Sequence, residues 1–109
     1  MPSFAAKRGD ALTVVQSAPD RYAVRGPLVF ATARRALAAG ISALATSRGT
    51  PIEVDLSGVE ASDSAGLAVL IEWLAWARRS GRSLHFAGVP DSLHTIARIS
   101  ELEGLLFGG

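Results

Sequence analysis

Between Ile52 and Ser80 the period of the apolar residues changes from two to about 3.6, and that change constrains the fold more than any other feature of the chain. Ile52-Glu53-Val54-Asp55-Leu56 alternates apolar and charged residues, the pattern of a strand with one buried face. Ser57–Gly58 reads as a turn. Asp63–Ser64 follows, and either side chain can cap a helix, because its oxygen accepts the free amides of the first turn. The helix then runs from Ala65 to Ser80, with Gly81 as the left-handed residue that stops it. A strand that hands over to a capped helix is half of a βαβ unit.

The flanking segments complete the unit and extend it. Leu12 to Gln16 is a short β-branched run, Pro19–Asp20 is a turn, and Arg21 to Arg25 alternates polar and apolar residues. These read as a hairpin broken at Gly26–Pro27. Thr32 is the expected cap of a helix from Ala33 to about Thr46, with Ala33, Ala36, Leu37, Gly40, Ile41 and Leu44 as its buried stripe. Gly40 costs that helix about 1 kcal/mol against alanine, so close helix–sheet packing is expected there. Leu84 to Ala87 is a fourth strand. The last helix turns Leu93, Ile96, Ala97 and Ile99 inward, and Leu105-Leu106-Phe107 is a short apolar tail. The order β-β-α-β-α-β-α predicts an α/β single domain with a mixed four-stranded sheet packed against helices, parallel late and antiparallel in the first hairpin. Residues 1–10 read as a flexible N-terminal segment and residues 11–107 as the domain.

Composition removes several functions. The chain has 109 residues and a formal net charge of +1, without the basic stripe of a nucleic-acid binder. Arg34–Arg35 and Arg78–Arg79 read as solvated helix faces. There is no cysteine, so disulfides and thiolate metal sites are absent. No apolar run reaches the roughly 18 residues of a membrane span, and Lys7–Arg8 is not followed by the apolar stretch of a signal peptide. A soluble, cytoplasmic chain is expected. His85 and His94 lack metal-ligand spacing, Ser62-Asp63-Ser64 lacks a nucleophile-elbow context, and no phosphate-binding glycine loop is present. Asp55 and Asp63 are a conceivable carboxylate pair without an evident cleft. No enzyme activity and no cofactor or metal are expected.

The helix from Ala65 to Ser80 carries two apolar stripes. At roughly 100° per residue, Leu67, Leu70, Ile71, Leu74 and Ala77 fall within about 120° and form the expected core face. Val69, Trp73 and Trp76 cluster on another face. A helix on one side of a sheet buries one stripe, so the second is expected to be partly exposed as a partner-binding patch.

Val54-Asp55-Leu56-Ser57-Gly58-Val59 followed by Asp63-Ser64-Ala65-Gly66-Leu67 resembles the signature of STAS domains, the anti-sigma-factor antagonists and their relatives. The order of elements agrees over roughly Leu12 to Leu106. Ile71-Glu72-Trp73-Leu74, Ala77 to Gly81, Val89-Pro90 and Ile96 to Ser100 are similar to the small cytoplasmic STAS subunits of Mla phospholipid transporters. That resemblance implies a non-catalytic subunit that binds and supports the ATPase of an ABC transporter for phospholipid, which maintains outer-membrane lipid asymmetry. It would be cytoplasmic and reach the inner face of the inner membrane only through its partner. The alternative is an anti-sigma factor antagonist that binds a serine kinase and is regulated by phosphorylation of Ser64. By position, Ser64 matches the family's phosphoacceptor or partner-contact hydroxyl, and Asp63 the acidic residue before it. A phosphate there would sit at a helix N-terminus, where the dipole favours negative charge.

Overall fold

The computed structural model describes residues 11–108; the flexible segment expected over residues 1–10 lies outside them. The elements are β1 (Thr13–Ala18), β2 (Arg21–Leu28), α1 (Phe30–Leu44), β3 (Ile52–Ser62), α2 (Ser64–Arg79), β4 (Leu84–Ala87), α3 (Asp91–Ile99) and α4 (Glu103–Phe107). The sheet order is β1-β2-β3-β4, antiparallel between β1 and β2 and parallel thereafter. This is the expected mixed four-stranded α/β domain.

Alternation decides which face of the sheet is covered. Tyr22 and Val24, Ile52, Val54 and Leu56, and Leu84 and Phe86 point into one core beneath the helices. Arg21, Glu53 and His85 form a row on the opposite, solvated face, with Glu53 3.5 Å from Arg21 and 3.8 Å from His85. Among the described residues no helix is long and apolar enough to cross a membrane.

Two expected breaks are strand interior. Gly26–Pro27 lies within β2, which pairs with β3 as far as Leu28. The β1 ladder ends at Arg25, so Pro27, which lacks an N–H, falls where β2 has lost that neighbour. Ser57–Gly58 is a bulge rather than a turn: between the pairs Ala23↔Asp55 and Arg25↔Gly58, β3 advances one residue more than β2. The Ser57 amide donates to Asp55 Oδ1 at 2.9 Å. The extra residue shifts the inward positions from Leu56 to Val59.

Helix α1 begins at Phe30, and Thr32 is its third residue rather than its cap. The buried Thr32 hydroxyl accepts from the Val29 amide at 3.0 Å and reaches the Pro27 carbonyl at 2.8 Å, so it holds the turn from inside. Ile99 is 78% exposed, against the expectation that it faces inward. The apolar tail is a short helix, α4. Leu106 enters the core, and Phe107 packs edge-on against Phe86 with ring centroids 5.9 Å apart.

Candidate functional site

In a parallel βαβ arrangement each helix starts where its preceding strand ends, and ligands favour that edge. Here it gathers the start of α1, the Asp63–Ser64 turn and the start of α3. The Ser62 and Ser92 hydroxyls, on β3 and α3, are 3.2 Å apart.

Asp63 organises the edge. Its Oδ1 accepts from the Gly66 amide at 3.0 Å, which caps α2. Its Oδ2 accepts from the Phe30 amide at 3.0 Å, which satisfies the first turn of α1. One carboxylate thus ties two helix N-termini, where its charge also suits both dipoles. Ser64 is the first residue of α2 and is exposed, so the cap is Asp63 alone.

Gly66 explains the spacing of the motif. A Cβ at that position would collide with the Leu28 carbonyl at the end of β2. Only a glycine lets the first turn of α2 press against the strand, and that approach brings Asp63 within reach of Phe30.

Phe30 is the residue that sequence reasoning missed. Phe30 is 81% exposed, and its backbone amide lies against Asp63 of the turn. With α1 begun at Ala33, Phe30 fell outside any element. Begun at Phe30, the same winding places it roughly 100° from the centre of the stripe Thr32, Ala36, Gly40 and Leu44, an outward position. That angle was the available signal.

The expected exposure of Val69 and Trp73 is corrected. Val69 is 5% exposed and Trp73 0%, so neither offers surface to a partner. The Trp73 indole lies against Gly40 of α1, where any Cβ would clash with the ring, and its Nε1–H donates to the Leu37 carbonyl at 3.4 Å. Gly40 therefore permits close helix–helix packing, not the helix–sheet packing expected. Trp76 is half-buried, with the Arg82 guanidinium 5.9 Å from its ring centroid. The physical reason is position in the helical layer. Helix α2 contacts α1 on one side and α3 and α4 on the other. It buries Gly66, Leu67, Val69, Leu70, Trp73 and Ala77, an arc of about 160° centred between the two expected stripes. Ile71 and Leu74, expected in the core, sit at its margin, partly exposed.

The remaining polar candidates lie apart from the turn. Asp55 is engaged at the bulge on the outer sheet face and does not pair with Asp63. His94 Nδ1 is 3.0 Å from Glu103 on α4, and His85 faces Glu53.

Comparison with known proteins agrees with this architecture. Residues 12–107 match the family model described as "Mlab, STAS domain". The crystal structure of a sulfate transporter family protein from Wolinella succinogenes is similar, with a TM-score of 0.61 and 24% identity, over 92% of this chain and 82% of that one. At that identity the likeness is one of fold. No curated protein matches the chain.

Proposed function

The chain belongs to the STAS domain family, and from that membership we propose that it is a non-catalytic subunit that docks on the ATPase subunit of an ABC transporter for phospholipid, of the Mla type. The observation that carries this reading is Phe30. A phenylalanine held almost wholly in solvent beside the family's signature turn has no use inside the fold. Aromatic side chains in that setting are the usual anchors of a protein interface. Asp63 fixes the backbone beneath it, so the anchor is presented without ordering a loop on binding. The exposed Ser64 hydroxyl lies on the same rim and supplies a polar contact. The partner would cover Phe30 and Ser64 and hold the chain at the cytoplasmic face of the membrane, with no chemistry of its own.

The exposure of Ser64 also favours a second reading, an anti-sigma factor antagonist switched by a serine kinase. A phosphate on Ser64 would project from the helix N-terminus into the docking surface and add about −2 of charge there.

Affinity capture with the tagged chain separates the two. Recovery of an ABC ATPase with the parent, and its loss with Phe30→Asp, is the expected result. Recovery of a small serine kinase instead, released by Ser64→Asp, supports the antagonist. Capture of either class undiminished by both substitutions overturns the assignment of this surface.

A further inference from the structure

We propose that the groove between α2 and α4 binds an apolar helical segment of a protein partner that carries acidic residues at one end. Ile71, Leu74 and Ala75 of α2 and Leu105 of α4 line a concavity of about 220 Å³, with Arg78 and Arg79 at its end. Leu105 is 47% exposed although its neighbour Leu106 is buried. The wall that presents it is fixed: Glu103 holds His94 at 3.0 Å and Arg98 at 3.8 Å, and Phe107 packs on Phe86.

Charge selects the occupant. Among the described residues the ion pairs engage Arg21, His85, His94 and Arg98, and leave Arg78 and Arg79 without a carboxylate. Both suit the C-terminal dipole of α2, yet their guanidinium forks remain available for bidentate carboxylate contacts. The chain's own first ten residues carry Lys7 and Arg8 against Asp10, the wrong balance for this rim. Continuity sets the orientation. Ser64, Ala68, Ile71, Ala75 and Arg78 fall within about 80° on one face of α2, so a helix lying along it from the Ser64 turn reaches the arginines after about 20 Å. The two alanines allow that helix to approach closely. The proposal extends the docking reading from the turn along α2.

The test is titration of the isotope-labelled full chain with three capped model peptides of identical leucine spacing, bearing glutamate, glutamine or lysine. The expected result is saturable amide shifts at Ile71, Leu74, Ala75 and Leu105 with the glutamate peptide. Binding of the glutamine peptide is at least about tenfold weaker and the lysine peptide gives none. The exposed double substitution Arg78→Glu with Arg79→Glu reverses that order. Equal binding of all three peptides, or no groove shifts, overturns the proposal. Shifts confined to Phe30 and Ser64 overturn it while sparing the docking surface at the turn. Groove shifts that vanish on dilution without peptide, with a dimer in sedimentation, assign the groove to a second copy. Binding only to phosphatidylglycerol vesicles assigns it to lipid.

Discussion

The backbone amide of Phe30 donates to Oδ2 of Asp63 at 3.0 Å, across 33 residues of sequence. This bond makes the signature turn of β3–α2 a fixture of α1 as well, and it holds the backbone of the exposed Phe30 against Asp63, the residue before Ser64.

Substituting Asp63 should therefore cost more than one cap. Asp63→Ala removes the acceptors of both Gly66 and Phe30, and is expected to lower stability by about 2–3 kcal/mol, a cap plus a second charge-assisted bond. Asp63→Asn keeps one acceptor oxygen and should fall between alanine and the parent. Urea denaturation at neutral pH gives the order, and equal stability of Asn and Ala variants would show that only one of the two bonds matters.

Trp73 and Gly40 should behave as one unit. Trp73→Ala is expected to cost about 3–5 kcal/mol, as for other fully buried tryptophans, whereas Trp76→Ala should cost about 1 kcal/mol. Gly40→Ala gains up to about 1 kcal/mol of helix propensity yet should destabilise, because its methyl enters the indole. In a Trp73→Leu background the sign should reverse. A double-mutant cycle by thermal melting measures this coupling.

Phe30→Ser should leave stability within about 0.5 kcal/mol of the parent, since the side chain is in solvent and its amide bond is retained. Retention of the partner in the capture experiment should nonetheless fall. A large loss of stability instead would mark Phe30 as part of the fold.

Asp20 predicts the pH response. Its carboxylate is held below the usual range by the Ser47 hydroxyl, 2.6 Å away, and by the Gly49 amide at 2.9 Å. A depressed folded-state pKa stabilises the chain above the unfolded value, and the gain is lost as pH falls through the folded one. Asp20→Asn should tolerate the positive φ of 63° and be less stable than the parent at pH 7. The gap should narrow at an acidic pH below the usual carboxylate range, as the parent's own carboxylate takes up its proton. Urea melts at the two pH values test it.

How much could be read in advance differs by element. The strand Leu84–Ala87 and the helix after Asp63 were legible within a residue, because each shows one clean period between unambiguous breakers. Gly26–Pro27 and Ser57–Gly58 were not. The same residues make turns or strand irregularities depending on whether a neighbouring strand runs alongside, and the sequence does not list neighbours. Thr32 illustrates a milder failure: its hydroxyl does hold the start of α1, but from the third position.

The sequence by itself determined the class of fold, the family signature, and that α2 would be capped by Asp63 or Ser64, since those depend on local period, cap chemistry and spacing. Only the tertiary structure decided which apolar side chains meet solvent. Trp73 vanished against α1 and Val69 into the core, while Phe30, Ile71, Leu74 and Leu105 came to the surface wholly or in part. Burial is a property of what packs alongside. A helix flanked on both sides hides a wider arc than its own sequence announces, and an aromatic at a helix start is exposed or buried according to a strand and a carboxylate more than thirty residues away.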